Sequence, residues 1–568
     1  MYVELHCHSA YSFGDGASLP EELALRAAEL GHEAIALTDH DGLWGSMELA
    51  QACSAVGVRP ITGAELTVTD RELDLRPEDG RSNCPPGCFH LTLLVESATG
   101  YRNLCRLVTE AHRGTRNHEP RRPRTNPGCA GITARSRSLG GGGGSYSDPL
   151  PPVLPLAALE GRTDGLVCLS GCARDGALAG RWERGELGRA ARLARRLASA
   201  FGRDRFRVEL QRPFWRRDHA RNRWLAELAG RLGVPCVASG NVHMHDRSRA
   251  RLQDALVAVR LHGTVEETEP RRRGNGSAYL CSAAEALDRF RDHPEAVAET
   301  AHLAKRLRFD LSSDLGYRYP GSEDPDADRA LAEICRARLE HRYAGSPHRR
   351  EAERRLAEEL AVIRKLRLSG FFLLHYDLLE LAREVAAEVR GPDSARMLLP
   401  PGRGRGSSVS SVVCYLTGLS HIDPVRGGLF LGRFLNEEIT EAPDIDLDFP
   451  RDIREKLIPR IHERYGSERS ALVSAFACYR SRGAVRDFGK VLGLPAGEIE
   501  RAARMVDVYD RSSAVENDVA EAIGPGRTSA TCTVRSSREE GSVRVSICIC
   551  ARLSIWNTPV VSARWIAS

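Results

Sequence analysis

Short apolar runs alternate with amphipathic segments along the first part of the chain. The earliest runs predict strands at residues 2–8, 33–38 and 59–68. Helical patterns at 20–30 and 44–56 lie between these strands. Later runs predict further strands at 90–96, 165–170, 206–211 and 234–239. Because strand and helix alternate in parallel sheets and barrels, the pattern predicts an α/β fold here.

The second half of the chain has a different pattern, dominated by charged helical periodicity. In chain order it predicts helices at 284–308 and 326–390, a Gly-rich loop at 402–408, an apolar helix at 409–418, an acidic strand at 443–449, a helix at 452–465 and basic helices at 469–508. Residues 119–155 are rich in Arg, Pro, Gly and Ser, which predicts a flexible surface insertion.

Length and composition set limits on these elements. A chain of 568 residues exceeds a single hydrophobic core, so at least three domains are expected. The net charge of +5 neither requires nor excludes nucleic acid as a partner. Neither a membrane-spanning apolar run nor a secretory signal is found, so a cytoplasmic location with no membrane partner is expected. In that compartment most of the 16 cysteines are expected to be reduced core thiols.

Metal-ligating residue types follow successive predicted strands. His6 and His8 lie two apart on one strand, so both imidazoles project from the same face. The full set of candidate ligands is His6, His8, Asp15, His40, Glu65, His90, Cys172 and His243. A lone histidine is more often a hydrogen-bonded structural residue, but groups of this kind at the mouth of a barrel suit a cluster of Zn²⁺, Mn²⁺ or Fe²⁺.

These segments resemble a known domain family. The residues that carry the resemblance to PHP (polymerase and histidinol phosphatase) domains are His6-Cys7-His8, Asp39-His40, Gly63-Ala64-Glu65 and Gly240-Asn241-Val242-His243. The resemblance implies a distorted β/α barrel that binds up to three metals, with phosphoesterase or exonuclease chemistry in active members, and it assigns the eight ligands above. One position departs from the family, because Asn241 stands where active members have a metal-binding Asp. Hydrolysis and a purely scaffolding role both stay open.

A Gly-rich loop and an acidic strand form a second candidate site. The loop Gly404-Arg405-Gly406-Ser407 lets backbone approach a phosphate, with Ser407 or Ser408 as a helix cap, although an ordinary Gly-rich turn has the same composition. Asp444, Asp446 and Asp448 alternate along the strand and would share one face, where like charges favour bound cations. A solvated acidic edge strand is the alternative.

The block from 401 to 508 resembles the catalytic core of bacterial C-family DNA polymerases, the DNA polymerase III alpha subunit family, whose members begin with a PHP domain. The residues that carry the resemblance are Gly404-Arg405-Gly406-Ser407, Arg433-Phe434-Leu435-Asn436 and Pro443-Asp444-Ile445-Asp446-Leu447-Asp448-Phe449. Features such as Ser239-Gly240-Asn241 and Tyr479-Arg480-Ser481-Arg482 are similar to the error-prone branch of the family.

The resemblance implies a role for each matching residue. Asp444 and Asp446 would hold Mg²⁺, and the loop Gly404, Arg405, Gly406 and Ser407 would contact the triphosphate of the incoming dNTP. Arg482, Arg486 and Lys490 have helical spacing and would contact primer–template DNA, with a solvated helix face as the alternative. Further partners implied by the family are a sliding clamp and damage-response proteins.

The expected organisation follows from both resemblances. A PHP barrel over 1–285 precedes the first part of an α+β, nucleotidyltransferase-like palm over 286–470 and the start of a helical thumb over 471–525. Residues 526–568 match no element and suggest a frameshifted or divergent tail; no third-Asp motif of the palm is found there. We therefore expect an incomplete error-prone polymerase that is inactive alone. The alternatives are a PHP phosphoesterase or 3′–5′ exonuclease, and a truncated product without function.

Overall fold

The computed structural model describes residues 2–70, 84–85, 87–116, 151–315, 324–391, 403–435, 443, 445–466, 469–470 and 479–506. The strands of these residues are β1 (Ala34–Leu37), β2 (Arg59–Thr69), β3 (Cys88–Val95), β4 (Leu154–Pro155), β5 (Leu166–Leu169), β6 (Phe206–Gln211), β7 (Cys236–Ser239), β8 (Arg403–Arg405) and β9 (Asp446–Asp448). Short 3₁₀ helices occur at Gly114–Arg116, Leu156–Leu159, Arg247–Arg249, Glu269–Arg271, Gly406–Ser410 and Leu431–Arg433.

The α-helices divide into those of the barrel region and those that follow it. The first group is α1 (Pro20–Glu29), α2 (Ser46–Val56), α3 (Ala98–Arg113), α4 (Ala179–Glu183), α5 (Leu187–Phe201), α6 (Asp218–Leu232), α7 (Ala250–Arg260), α8 (Ala283–Arg289) and α9 (Pro294–Ala304). The second group is α10 (Ala327–Arg342), α11 (Arg349–Lys365), α12 (Ser369–Arg390), α13 (Val412–Thr417), α14 (Arg451–Tyr465), α15 (Ser481–Val491) and α16 (Ala496–Met505).

The described residues form two compact units. Unit 1 contains residues 2–315 and 479–506, and unit 2 contains residues 324–470 with the gaps given above. The predicted insertion at 119–155 lies outside the described residues except for 151–155, and so does the predicted tail at 526–568. Among the described residues, no helix has both the length and the apolar character needed to cross a bilayer.

One sheet organises unit 1. Its strand order is β1-β2-β3-β5-β6-β7, with β4 paired to β2. β1 and β2 are parallel, as are β5, β6 and β7, whereas β3 runs antiparallel to both β2 and β5. The sheet is therefore mixed and not wholly parallel, because the chain reverses between Thr69 and Cys88, which pair in the register of β2 and β3.

The segment 2–8 makes isolated bridges instead of the continuous strand that was predicted. Glu4 pairs with Ile35 of β1, and Cys7 pairs with Val242, just after β7. The segment thus divides its hydrogen bonds between the two edges of the sheet, and this sharing interrupts a regular ladder. Because it joins both edges, it closes the sheet into the expected distorted α/β barrel.

Burial explains why the strands of the barrel are continuous apolar runs in the sequence. β1 and β5 are buried at every position, and helices cover the sheet. For example, Leu23 of α1 packs in one cluster with Leu37 of β1 and Leu49 of α2. Strands that are covered on both faces lack polar alternation, so their sequences are continuously hydrophobic. The core therefore fixes the strand ends, where the candidate ligands lie.

Helices α15 and α16 pack within unit 1. Ala484 and Phe488 of α15 contact Leu252 and Leu256 of α7. The backbone N–H of Val265 also donates to the carbonyl of Val491, 3.0 Å away. The apolar face of the predicted first thumb helix is therefore buried against the barrel region, and its polar face remains exposed.

Unit 2 is mainly helical, with one small two-stranded sheet. Helices α10 and α11 pack against α13, whose residues are almost all buried. Leu331, Phe372, Val413 and Leu416 are part of one core to which α12 also contributes. β8 and β9 form an antiparallel pair. The expected combination of a helical framework and a short sheet is present, and the mixed α/β class of the whole chain is confirmed.

Candidate functional site

Four of the predicted histidine ligands surround one carboxylate. Glu65 of β2 places Oε2 3.1 Å from His40 Nδ1, 3.3 Å from His90 Nδ1 and 3.6 Å from His8 Nε2. Its Oε1 lies 3.3 Å from His6 Nε2. Three ligand groups follow from these contacts and their neighbours, namely His6–His8–Glu65, His40–Glu65–His90 and His8–His40–His243.

Hydrogen bonds outside this cluster fix the tautomer of His6. Its Nδ1 lies 2.6 Å from Glu209 Oε1. The same oxygen accepts from Gln211 Nε2 at 2.7 Å and from the hydroxyl of Ser239. Because a carboxylate only accepts, His6 Nδ1 carries a proton, and Nε2 is the ring nitrogen that points into the cluster, where its lone pair is available in the neutral imidazole.

The tautomer of His8 is fixed in a similar way. Its Nδ1 lies 3.1 Å from Ser12 Oγ, and that hydroxyl donates to Asp39 Oδ1 at 2.7 Å. The serine oxygen therefore accepts the proton of His8 Nδ1, which leaves the lone pair on Nε2. The Nε2 atoms of His6 and His8 lie 3.1 Å apart. Two facing lone pairs repel unless a proton or a metal ion lies between them, and with the Glu65 carboxylate beside them these side chains fit a metal ion.

The ionisation of the buried groups agrees with a cation site. Burial alone would raise the pKa of Glu65, but His90, His6 and His40 lower it well below its usual value, so the carboxylate is charged. Burial alone would lower the pKa of His6, whereas Glu209 and Glu65 raise it well above its usual value. Burial, with His243 and His40, lowers the pKa of His8 well below its usual value. Without metal, the positive charge at this face is therefore a second proton on His6, beside Glu209 and Glu65, and a metal ion would replace that proton.

Asp15 and His243 form the outer part of the cluster. Asp15 Oδ2 lies 3.4 Å from His40 Nε2 and 3.5 Å from His243 Nε2. Arg273 Nη2 lies 3.6 Å from the same oxygen and also donates to His243 Nε2. Burial and then Arg273 lower the pKa of His243 to about 4. Burial would raise the pKa of Asp15, but His243 and Arg273 hold it well below its usual value.

Asn241, the position that departs from the family pattern, lines a cavity beside the cluster together with Asp15 and Glu65. Its backbone has a left-handed φ of 46°, and its carbonyl accepts from His243 Nδ1 at 2.9 Å. The side-chain Oδ1 is buried without a hydrogen-bond partner among the described residues. The residue therefore orients His243 through its backbone, while its amide oxygen is left for a further group.

Cys172 lies beside His90 at the edge of the cluster. Its Sγ is 3.7 Å from His90 Nδ1 and accepts from the N–H of Asp175 at 3.4 Å. A further ligand group combines His90 with Cys84 and Asp175. The sequence did not identify these two residues, nor Glu209 and Arg273, because each becomes relevant only through contacts that the fold creates.

A cavity of about 380 Å³ opens over the cluster. Its walls include Glu65, His90 and Asp15, and aromatic side chains of Phe13, Trp44 and Trp215 also line it. The position at one end of the barrel sheet is where barrel enzymes place their sites. A small charged ligand thus has access to the cluster.

The acidic strand of the second site is shorter than predicted. β9 contains Asp446, half-buried, and Asp448, exposed; Asp444 lies outside the described residues. β9 pairs with β8, so that Arg405 is opposite Asp446 and Arg403 is opposite Asp448. The side chain of Arg405 is likewise outside the described residues. The pairing brings the backbone of the Gly-rich segment beside the aspartate strand.

The predicted cap of the following helix is wrong. α13 is capped by Ser411, whose hydroxyl accepts from Cys414 N, and not by Ser407 or Ser408. Glu359 accepts from Val412 N at 2.8 Å and Val413 N at 3.0 Å. These amides are therefore satisfied by a buried carboxylate of α11 and do not face a phosphate.

Within the Gly-rich segment, the individual positions have different roles. A Cβ at Gly404 would lie 2.4 Å from the carbonyl oxygen of Leu419, so close backbone packing requires glycine there. Gly406 has a left-handed φ of 76°. Gly406 and Ser407 are exposed and remain accessible to a ligand.

The three predicted DNA-contacting residues are exposed on α15. Arg486 forms an ion pair with Glu500 at 3.2 Å, and Lys490 lies 3.7 Å from Asp487. Arg482 Nε donates to the carbonyl of Val506 at 3.1 Å. The stripe is therefore accessible, but part of its charge is neutralised within the protein.

Two family models match the chain. Residues 4–213 match the PHP domain, and residues 329–540 match the bacterial DNA polymerase III alpha NTPase domain. The chain is 34% identical over 510 residues to an error-prone DNA polymerase of Symbiobacterium thermophilum, an alignment that covers 89% of this chain and 42% of the relative. It is 36% identical over 507 residues to an error-prone DNA polymerase of Cutibacterium acnes, with 89% and 40% covered.

Solved structures are more distant. An amidohydrolase from Chromobacterium violaceum is 21% identical with a TM-score of 0.25, covering 43% of this chain and 88% of that one. The chain spans about two-fifths of the length of the curated relatives it matches. The matched domains occur in the order that the sequence motifs predicted. The chain therefore carries a segment of the PHP domain family followed by a segment of the bacterial DNA polymerase III alpha NTPase domain family.

Proposed function

We propose that the chain supplies the PHP domain and the first part of the palm of an error-prone DNA polymerase, which joins a dNTP to the 3′-hydroxyl of a primer. The observation that supports this most is the pairing of β8 with β9, because it brings the Gly-rich segment beside Asp446. Primer–template DNA and dNTPs are the substrates in this proposal. A cytoplasmic location, a role in replication and damage repair, and contacts with a sliding clamp and damage-response proteins belong to it as well.

In this proposal, Asp444 and Asp446 hold Mg²⁺. The bound metal would activate the primer hydroxyl and stabilise the leaving pyrophosphate. Arg405 and Ser407, with the glycines beside them, bind the triphosphate and orient it toward the primer. Asp448 lies two residues beyond Asp446 in β9 and is not a ligand.

A chimera can test the palm assignment. Residues 1–506 are joined to the region that follows in the Symbiobacterium thermophilum relative, and primer extension is measured with Mg²⁺. Asp444→Ala and Asp446→Ala should each reduce extension by at least about 10³-fold, since each removes a ligand of the reacting metals. Asp448→Ala is the matched control and should retain activity. Extension that survives both of the first two changes would overturn the assignment.

The three basic residues of α15 are proposed to contact DNA phosphates without sequence preference. In the same chimera, replacing Arg482 or Arg486 by Ala should weaken binding to all primer–template sequences alike. Each replacement should also reduce the salt dependence of binding by about one in slope, because one fewer phosphate is neutralised. A change in sequence preference would contradict an interaction with the DNA backbone.

A second candidate function is metal-dependent phosphoester hydrolysis by the PHP domain. The facing lone pairs of His6 and His8 beside Glu65 favour it, because this donor set suits Zn²⁺, Mn²⁺ or Fe²⁺. Such metals supply a nucleophilic hydroxide and polarise a phosphoryl group. Asn241 argues against full activity, since an amide is a weaker ligand than a carboxylate.

Hydrolysis can be measured on the 568-residue chain itself. The substrates are p-nitrophenyl phosphate and an oligonucleotide labelled for 3′-end removal, each with added Mn²⁺ or Zn²⁺. Activity that His8→Ala abolishes and Glu299→Gln retains would support this function; Glu299 pairs with Arg207 away from the cluster. Equal activity in the wild type and His8→Ala would reject it.

A further inference from the structure

Arg273 reaches into the outer part of the histidine cluster. Its Nη2 donates to His243 Nε2 and lies 3.6 Å from Asp15 Oδ2. Those two atoms, with His40 Nε2 at 3.4 Å from the same carboxylate oxygen, are ligand atoms that would otherwise face a metal. A guanidinium thus lies where the donors converge.

The hydrogen bonds of His243 show that its Nε2 is an acceptor. Its Nδ1 lies 2.9 Å from the carbonyl oxygen of Asn241, which can only accept, so the proton is on Nδ1. The lone pair on Nε2 is therefore engaged by Arg273. A metal ion could use this lone pair only if the guanidinium moved away.

The carboxylate of Asp15 already has a cationic partner in Arg273. Asp15 Oδ1 accepts from Gln253 Nε2 at 2.9 Å, which directs Oδ2 toward Arg273 and the histidines. Asn241, which lines the same cavity, adds no second negative charge there. The buried amide oxygen of Asn241 has no hydrogen-bond partner among the residues described.

We propose that Arg273 is a permanent cation in the third ligand group, so that the cluster takes up two metal ions instead of three. The His6–His8–Glu65 and His40–Glu65–His90 groups remain available, whereas the group that contains His243 is closed to metal. This inference rests on the metal site proposed for the PHP domain, and it concerns how many ions bind.

Metal content of the intact chain tests this directly. The protein is incubated with excess Mn²⁺, desalted and measured by inductively coupled plasma mass spectrometry. The wild type should retain about two equivalents and Arg273→Met about three, because methionine removes the charge but keeps much of the length. Arg273→Lys, which keeps the charge, should remain at two.

Arg174 provides a matched control. It lines the same cavity, but its guanidinium donates to the carbonyls of Arg271 and Arg272 and not to a ligand. Arg174→Met should leave the metal content unchanged. A gain in this variant equal to that of Arg273→Met would overturn the proposal, because it would reflect loss of any nearby positive charge.

The wild-type measurement keeps the proposal open to rejection even if a variant fails to fold. Three equivalents in the wild type would overturn the role of Arg273 while leaving the metal cluster supported. No metal in the wild type or in Arg273→Met would overturn both. Two equivalents in the wild type and also in a folded Arg273→Met would overturn the role of Arg273 alone.

Discussion

The histidine cluster of unit 1 and the aspartate strand of unit 2 are built differently, although both are proposed to hold metal. In unit 1, ligands from many strand ends converge on buried Glu65, and side chains outside the cluster fix their orientation. In unit 2, Asp446 lies on a three-residue strand, half-buried, beside an exposed Asp448. The first site is shaped by a complete barrel, whereas the second depends on one short pairing.

The two sites differ in whether the fold brings the ligands together before a metal ion binds. The barrel core positions His6, Glu65 and His90 before any metal binds, so metal affinity should depend strongly on individual cluster residues. At β9, few contacts restrain the carboxylates, so metal should matter less to the stability of unit 2.

Removing the shared carboxylate should have the largest effect. Glu65 belongs to two of the four ligand groups, and these two are the ones proposed to hold metal, so Glu65→Gln should lower retained Mn²⁺ from about two equivalents to less than one. Metal analysis of the desalted chain measures this. Glu299→Gln, which alters an ion pair away from the cluster, should retain the wild-type content. Undiminished metal in Glu65→Gln would show that the ions bind elsewhere.

Metal should stabilise the two units unequally. Mn²⁺ at 100 times its dissociation constant should stabilise the cluster region by about 2.7 kcal/mol, since binding to the folded state adds to its stability. Amide hydrogen exchange with Mn²⁺ or with a chelator compares peptides from β2 and β3 with those from α13. If Mn²⁺ slowed hydrogen exchange in α13 as much as in β2 and β3, metal binding would not stabilise the two units unequally.

The outer carboxylate Glu209 should have an intermediate effect. Glu209→Gln weakens the hydrogen bond that holds His6 Nδ1, and such changes typically reduce metal affinity by about 10–100-fold. Titration with Mn²⁺ monitored by calorimetry measures the change. An unchanged affinity would mean that the barrel orients His6 without Glu209.

The helix cap in unit 2 should have a smaller effect than any change in the cluster. Ser411→Ala removes the acceptor of Cys414 N and should destabilise α13 by about 1 kcal/mol. Ser407→Ala, in the exposed part of the Gly-rich loop, should change stability by less than about 0.5 kcal/mol. Hydrogen exchange of peptides containing 411–418 distinguishes them, and the reverse order would restore Ser407 as the cap.

Much of the barrel could be predicted from the sequence because its strands are buried on both faces. The predicted strand at 206–211 coincides with β6, and the others differ by a few residues at their ends. The segment 2–8 was an exception, since an apolar run does not reveal that Glu4 and Cys7 pair with opposite edges of the sheet.

From the sequence, only those residues of the candidate sites could be predicted that have a metal-ligating residue type and lie in or after a predicted strand. His6, His8 and Glu65 were found because they follow the strand pattern, whereas Glu209 contacts His6 across 203 positions of sequence. Likewise, Ser411 caps α13 together with Glu359, which lies 52 positions earlier. Such partners are set by tertiary packing, so the pattern around each residue does not identify them.

Anomalous diffraction from crystals of the chain grown with Mn²⁺ would locate the metal of unit 1. We expect peaks between His6, His8 and Glu65 and between His40, Glu65 and His90, with the guanidinium of Arg273 still bound to His243. Absence of a peak at Glu65, with His6 and His8 still facing each other without metal, would contradict the assignment of this cluster as a metal centre.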